Sequence, residues 1–260
     1  MIKFFRHIRQ RLLTENKVNK YLLYALGEIV LVVIGILIAL QINNWNEYQK
    51  ERKSEQLLLA EIRDNLTYDL TDFESNIATL QNKSISSKMM LKALEQNIPY
   101  HDSLGYYFSY LSAYPHFSSK RNGYKLLQYK GLDLIMNTNL RNKITDLYED
   151  RYEYLLTFER ERISYNKVLL ETAMTPYMGN EELPLDVMPE SLINKGSNQI
   201  LIDIGYFRHI RNYDKLKADL DLQGMIKNVE IWSSALGSRH ISTKENALEL
   251  ITLIEQELQK

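Results

Sequence analysis

The sequence predicts an all-α protein: one N-terminal transmembrane helix followed by an elongated extracytoplasmic helical bundle. Residues 21–40 are apolar over the length that a membrane span requires. After this stretch, apolar residues recur every three or four positions, as they do on one face of a helix. All five prolines lie between these periodic segments, where they do not interrupt a helix. Because the sequence has no strand-like alternation of useful length, we do not expect a β domain.

The residues ahead of the apolar stretch are rich in basic side chains. Ile2, Phe5, Ile8 and Leu12 fall on one helical face, and three arginines lie mostly on the other. This pattern is typical of a basic amphipathic helix on the inner surface of a membrane. We therefore assign residues 1–20 to a cytoplasmic basic amphipathic segment.

Insertion of residues 21–42 into a membrane is favoured by the balance of transfer free energies. Thirteen Leu, Ile and Val side chains between positions 22 and 40 contribute about −6 kcal/mol together, whereas Glu28 costs at most about 3 kcal/mol. A buried core helix rarely contains so few polar residues. The sequence does not favour a cleaved signal peptide, because the apolar stretch is longer than the hydrophobic region of a typical signal peptide and lacks a small-x-small cleavage site. We therefore expect an uncleaved, single-pass signal anchor.

Small residues and one carboxylate mark a face of this span that suits contact with another helix. Gly27 precedes Glu28, and Gly35 forms a small-xxx-small pair with Ala39. Small side chains let two helices approach closely, and intramembrane carboxylates usually pair with a polar group. These four residues are our candidates for transmembrane helix–helix contact, with a partner protein or in a homo-oligomer. The alternative for Glu28 is a protonated side chain, or one that snorkels to the headgroups.

The basic residues also predict the orientation of the span. Six Lys or Arg residues precede it, and three follow within the next twenty residues. By the positive-inside rule, the N-terminus is cytoplasmic and residues 43–260 form an α-helical domain on the other side of the membrane.

The rest of the chain has the apolar periodicity of a helical bundle or coiled coil. Ser118 and Thr138 are candidate N-caps, and Ser242 forms a capping box with Glu245. A proline-containing loop of about twenty residues precedes residues 200–204, which start either a strand or a helix. We predict helices over residues 47–80, 84–97, 103–112, 118–130, 139–172, 213–236 and 242–259.

Tyrosines are concentrated in one part of the predicted domain. Eleven of the eighteen fall between residues 100 and 165, including Tyr106, Tyr107, Tyr110 and Tyr114. Tyrosine offers broad apolar area and a polar tip, so these four are candidate partner-binding residues in a groove for a peptide, a glycan or a helix. The alternative, which we favour, is a bundle core with hydroxyl groups at its rim.

The sequence predicts no catalytic, cofactor-binding or metal-binding residue. Without cysteine and with a formal net charge of −1, the chain lacks thiolate chemistry and gives no indication of nucleic-acid binding. Motifs of zinc hydrolases, serine hydrolases and nucleotide-binding proteins are absent from the sequence. A hydrolase that uses Glu149, Glu153 or His101 is the enzymatic alternative, although such acids usually form ion pairs on a solvated helix face.

Two stretches resemble a known protein family, and a third motif resembles a modification site. Residues 20–47 resemble the start of an uncharacterised family of single-span membrane proteins from Gram-negative bacteria, and residues 124–148 give a weaker match. The resemblance implies an inner-membrane protein with a periplasmic helical domain. Because the family is catalogued only as a domain of unknown function, the resemblance assigns no catalytic residue.

Separately, Asp102-Ser103-Leu104 resembles the acceptor tripeptide of a periplasmic O-glycosylation system, which makes Ser103 a candidate glycosylation site.

These observations lead to three functional hypotheses. We prefer a non-enzymatic, membrane-anchored periplasmic protein that binds or scaffolds a partner protein or an envelope component. The first alternative is a periplasmic ligand-sensing module that signals through its transmembrane helix. The second is a membrane-bound hydrolase. The lipid bilayer is an expected partner under all three hypotheses.

Overall fold

The computed structural model describes residues 18–193 and 207–260 of the chain. The chain forms two units, Met1–Glu55 and Gln56–Lys260. Helix α1, Val18–Glu95, begins in the first unit and ends in the second. Most of the described chain is helical, which confirms the coarse prediction of an α-helical protein with one long apolar helix at the N-terminus.

In the first unit, α1 exposes its apolar side chains. Leu23 and Leu31, for example, are 73% and 71% exposed. By length and composition, this helix is able to cross a membrane. Apolar surface of this extent is unfavourable in water. The amphipathic helix predicted ahead of it falls mainly on residues 1–17, outside the described part of the chain.

The second unit contains the end of α1 and, among the described residues, six further α-helices. A π-helical stretch, Asp146–Arg151, joins α4 to α5, so that the two form one long element. The helices are α2 (Asp102–Tyr110), α3 (Asn122–Lys130), α4 (Thr138–Thr145), α5 (Tyr152–Met174), α6 (Tyr213–Ala218) and α7 (Leu220–Leu258). Short 3₁₀ turns occur at Leu132–Leu134, Thr175–Tyr177, Leu185–Val187 and Glu190–Leu192.

Three long elements pack side by side in this unit: α1 from residue 56 onwards, α4 with α5, and α7. Side-chain pairs show that α7 is antiparallel to both of the others, because residue numbers fall along α7 as they rise along its neighbours. The pairs with α1 are Glu74–Lys244 at 2.8 Å, Ser84–Ser234 at 3.4 Å and Lys88–Glu230 at 3.8 Å. Those with α4 and α5 are Lys143–Glu249 at 2.6 Å and Glu159–His240 at 2.7 Å.

Apolar stripes of these elements form two buried clusters. The stripe of α1 continues at spacings of three and four, so that it packs along its whole length in the second unit. One cluster surrounds residues 58–80 of α1, and its largest members include Phe73, Phe117, Tyr148 and Tyr152. The other lies around the C-terminal end of α1 and includes Met90, Phe108, Tyr110, Phe207 and Ile226.

Several predicted helix boundaries are wrong. Helix α1 continues without a break through residues 81–83, and α7 continues through Ser242, which is exposed within the helix and caps nothing. Helix α3 begins four residues after Ser118, and the N-cap of α4 is Asn137, whose side chain accepts a hydrogen bond from the Leu140 N–H at 3.2 Å. Tertiary packing overrides the local capping signals at these positions.

A short antiparallel ribbon was not expected from the sequence. Strand β1 (Met178–Glu182) pairs with β2 (Arg208–Ile210). A Cβ at Gly179 would lie 2.6 Å from the carbonyl oxygen of His209, so the close approach of the strands requires glycine there. The strand or helix start predicted at residues 200–204 lies outside the described residues.

Candidate ligand-binding site

A cleft of about 260 Å³ lies within the second unit, between α1, α5 and α7. Helix α1 contributes Leu80 and Lys83, and the chain after α2 contributes Tyr114 and Pro115. Three further polar residues, Asn166, Asn228 and Ser233, lie in the lining. The remaining walls are apolar side chains of α5 and α7: Phe158, Ile163, Leu169, Leu170, Met225, Val229, Trp232 and Leu236. Mostly apolar walls with a few polar groups are typical of small-molecule sites.

The cleft has a buried floor and an exposed rim. Leu80 and Leu170 are each 2% exposed, and Ser233 is 4% exposed. At the rim, Leu169 is 43% exposed and Asn228 is also exposed. A ligand can therefore enter from the rim without unfolding of the helices.

Lys83 places a cation in this apolar lining. It is 5% exposed; its Nζ donates a hydrogen bond to the carbonyl oxygen of Ala113 at 2.7 Å and lies 3.6 Å from the centroid of the Tyr114 ring. Burial lowers the pKa of Lys83 to about 7, although the Glu171 carboxylate favours the charged form. Near neutral pH, the side chain is therefore divided between its ammonium and amine forms.

Tyr114 brings a second polar group to the same end of the cleft. Its hydroxyl oxygen is buried and has no hydrogen-bond partner among the residues that the structure describes. Burial, and to a smaller extent Glu171, raises the pKa of Tyr114, so the phenol retains its proton. The site therefore combines a buried amine with a phenol whose donor is unused.

Side chains on one face of α1 hold the chain after α2 in place. Residues 113–121, which we call the docked segment, contain no helical or strand residue. The acceptors on α1 are spaced by three and four residues, so they share a helical face and meet alternate N–H groups of the segment. The bonds are His116 N to Asn76 Oδ1 at 2.8 Å, Ser118 N to Asp72 Oδ2 at 2.8 Å, and Lys120 N to Asp69 Oδ1 at 2.7 Å. This arrangement fixes Ala113 and Tyr114 beside Lys83.

A buried acid–histidine pair reinforces the same region. Glu159 and His240 are 5% and 0% exposed. One Glu159 oxygen lies 2.7 Å from His240 Nε2, and the other accepts a hydrogen bond from the Phe117 N–H at 3.3 Å. The pair therefore connects α5, α7 and the docked segment, and both carboxylate oxygens are occupied by these structural contacts.

Three of the four candidate partner-binding tyrosines lie in the core. Tyr106, Tyr107 and Tyr110 are 1%, 5% and 0% exposed. Tyr106 bonds to the Pro184 carbonyl oxygen, Tyr107 to Ser191 at 2.9 Å, and Tyr110 accepts from Asn82 at 3.2 Å. These residues therefore offer no exposed aromatic surface to a partner, because packing of α2 turns them inward. Tyr114 alone of the four lines the cleft.

The other candidate residues lie elsewhere. In the first unit, Gly27, Gly35 and Ala39 are exposed and Glu28 is half-buried. A Cβ built at either glycine would meet no atom within 4 Å. Ser103 is half-buried near the start of α2. Helix contact through Gly27, Glu28, Gly35 and Ala39, and glycosylation of Ser103, stay predictions of the sequence.

The two glutamates of the hydrolase alternative have structural partners. Glu149 accepts hydrogen bonds at 2.8 Å from both Tyr124 and Gln128, and Glu153 pairs with Arg121 at 2.5 Å. His101 is exposed immediately before α2. Among residues 18–193 and 207–260, no three His, Cys, Asp or Glu side chains cluster in a way that could hold a metal ion.

Sequence reasoning did not identify Lys83 or Trp232 as site residues. A signal for Lys83 was present, since the apolar stripe through Phe73 and Leu80 reaches position 83 at the next three-residue step. No comparable signal marked Trp232, because the cleft forms only when three distant parts of the chain come together.

Comparison with known proteins gives a family without an assigned activity. Residues 28–210 match the model of a protein family described as a family of unknown function (DUF6090). No curated protein and no solved structure shows significant similarity to the chain.

Proposed function

The chain belongs to this family of unknown function, and we propose that it is a membrane-anchored, non-enzymatic protein that binds a small, largely apolar ligand beside Lys83. The cleft is the observation that carries the proposal, because it combines apolar walls, a buried floor and an exposed rim. Protein interiors are normally close-packed, and unfilled apolar volume is destabilising. Ligand binding accounts for keeping such a volume between core helices.

We further propose that α1 crosses the inner membrane once, with the N-terminus in the cytoplasm and the second unit in the periplasm. Support comes from the exposed apolar side chains of the first unit and from the excess of basic residues ahead of them. The anchor restricts the protein to the membrane surface, where amphiphilic molecules are concentrated.

Ligand sensing is a second candidate function. Helix α1 contributes Leu80 and Lys83 to the cleft and also contains the proposed span. Ligand binding would then be communicated to a partner's span through the face that contains Gly27, Glu28 and Gly35. Scaffolding of a partner protein stays a prediction of the sequence, and the cleft favours a small ligand over it.

Fluorescence of Trp232 tests the binding proposal. This residue lines the cleft, and the chain has two tryptophans, of which the other is Trp45. In the full-length Trp45→Phe protein in lipid nanodiscs, hexanamide, octanamide or decanamide should shift the Trp232 emission with a saturable dose dependence. Neutral amides test the cleft without involving a ligand charge.

A matched pair of substitutions on α7 separates binding in the cleft from partition into lipid. Ser233→Leu fills the floor of the cleft and should abolish the saturable shift. Ser238→Leu makes the same change at an exposed position of the same helix and should leave the shift intact. Equal responses in both variants, or a linear response without saturation, would refute the proposed function.

A further inference from the structure

We infer that the ligand of this cleft is an amphiphile with a single acidic head group, held as a carboxylate by Lys83 and Tyr114. Its tail, a ring or a medium-length alkyl chain, lies along the apolar walls of α5 and α7. This inference rests on the proposed function, because it presupposes a ligand in the cleft, and it adds the chemical class of that ligand.

The charge at the buried end of the cleft is the first argument. Among the described residues, no carboxylate oxygen lies within 4.0 Å of Lys83 Nζ, so the ammonium has only a carbonyl oxygen and an aromatic face as close partners. A buried cation is unfavourable unless an anion pairs with it. Lys167 Nζ lies 5.5 Å from the centroid of the same Tyr114 ring, which adds positive charge near this end. The Glu171 carboxylate also acts on Lys83 and Tyr114, but it does not pair directly with Lys83 Nζ. An anionic head group therefore complements the unpaired ammonium.

The hydrogen-bond donors are the second argument. An ammonium has three N–H groups, and Ala113 accepts from one of them. The Tyr114 hydroxyl is buried without a partner among the described residues. A carboxylate has two oxygens and accepts hydrogen bonds without donating any, so it suits this pair of donors. Charge-assisted bonds of this kind are stronger than bonds between neutral groups.

The size and lining of the cleft define the rest of the ligand. The volume of about 260 Å³ exceeds that of an engineered apolar cavity of about 150 Å³ that binds benzene. Phe158, Trp232 and Leu236 provide aromatic and aliphatic walls away from Lys83. Lys83 is the one charged side chain among the described residues that line the cleft, since the Arg239 guanidinium packs on the Phe158 ring at 4.4 Å without being part of the lining.

The ionisation of Lys83 predicts how binding depends on pH. The charged groups that act on it are Glu171, which favours its charged form, and Lys167, which opposes it; the α7 side chains that line the cleft carry no charge. Tyr114 stays protonated, because burial raises its pKa. Since burial lowers the pKa of Lys83 to about 7, affinity for a carboxylate should fall as pH rises above 7. Affinity for a neutral ligand should not change.

Paired ligands test the head group. In the full-length Trp45→Phe protein in nanodiscs, octanoate should bind at least about tenfold more tightly than octanamide at pH 6. The reason is that the carboxylate of octanoate forms an ion pair with the Lys83 ammonium, whereas the neutral amide does not. The additional substitution Lys83→Met should remove this preference and retain binding of octanamide. Lys92→Met, at an exposed position of the same helix, should retain the preference.

The outcomes separate this inference from the function on which it rests. Equal affinities for octanoate and octanamide would overturn the acidic head group and leave the binding proposal standing. Saturable binding of neither compound would refute both. If Lys83→Met fails to fold, as judged by circular dichroism, the pH series decides: octanoate affinity should weaken at least about fivefold between pH 6 and pH 8.5. An octanoate affinity that does not change with pH would contradict the inference.

Discussion

Lys83 lies in surroundings that disfavour its charged form. Most lysines keep the ammonium in water, whereas this one is 5% exposed and packs on the Tyr114 ring. Because burial lowers its pKa from 10.5 to about 7, the folded state binds a proton less tightly than the unfolded chain does. A residue that reduces stability in this way is often retained for function, since binding sites commonly contain perturbed ionisable groups.

The first prediction concerns the pH dependence of stability at Lys83. Between pH 7 and 10.5 the unfolded lysine holds more protons than the folded one, so the free energy of unfolding rises with pH in this window. Thermal unfolding of the full-length protein in nanodiscs, followed by circular dichroism, should show the largest stabilisation by Lys83→Met at and below pH 7, where the folded state has to hold the charged lysine. The stabilisation should shrink as pH approaches 10. Lys92→Met serves as the control, and a Lys83→Met effect that is the same at both pH values would contradict the assignment.

The second prediction concerns how Asp69 makes the free energy of unfolding depend on pH in the acid range. Burial raises its pKa from 3.8 to about 6, despite hydrogen bonds from the Lys120 N–H and Tyr152 that favour the charged form. The folded state therefore holds more protons than the unfolded one between these values, and the free energy of unfolding should fall as pH rises from 4 to 6. Asp69→Asn should lack this component of the pH dependence in thermal unfolding experiments. Asp64→Asn, at an exposed position of the same helix, should retain it.

At the scale of single residues, the sequence predicts which positions of a helix are apolar and buried, but it does not predict the chemical environment of a buried charge. The stripe of α1 predicts that Phe73 and Leu80 are buried, and they are 0% and 2% exposed. It does not predict a low pKa at Lys83, because that shift depends on Tyr114 and on α5. Partners that are distant in the sequence determine burial of a charge, and the local pattern contains no information about them.

At the scale of elements, the docked segment is held by side-chain acceptors on α1 rather than by a backbone ladder. Buried N–H groups need a partner, and leaving one unsatisfied costs about 1–3 kcal/mol. Asn76→Ala removes the acceptor of the His116 N–H and should lower the free energy of unfolding by about that amount. Hydrogen exchange of the docked segment should also accelerate. Thr71→Ala, at an exposed position of α1, is the control; unchanged exchange after Asn76→Ala would show that this bond does not hold the segment.

Helix α7 shows why the boundaries of elements were predicted less well than their existence. Ser242 and Glu245 have the spacing of a capping box, which predicts a helix start. However, Leu236, His240, Thr243 and Ala247 continue the buried face through this region at spacings of three and four. Burial on both sides of Ser242 stabilises a continuous helix by more than the capping contribution of about 1 kcal/mol. The same competition explains the uninterrupted α1.

At the scale of the whole molecule, the helical class and the apolar N-terminal helix were predictable because both depend on local patterns. The β1–β2 ribbon was not, since β1 has the sequence MGNEE and no apolar alternation. Its pairing depends on a partner strand about thirty residues away along the chain. The cleft is a property of this scale as well, because α1, α5 and α7 supply its walls from three separate parts of the sequence.

The last prediction concerns which side of the membrane each part of the chain occupies. Because the sequence contains no cysteine, a single introduced cysteine is the only thiol that a reagent can label. A single cysteine introduced by Ser242→Cys, at an exposed position of α7, should react with a membrane-impermeant maleimide in intact spheroplasts. A single cysteine introduced by Thr14→Cys should react only after the cells are lysed. The physical reason is that six basic residues ahead of the span resist transfer across the membrane, whereas three follow it within the next twenty residues. The reverse labelling pattern would place the second unit in the cytoplasm. If both variants were recovered in the soluble fraction without detergent and were labelled there, the proposal of a membrane anchor would be refuted.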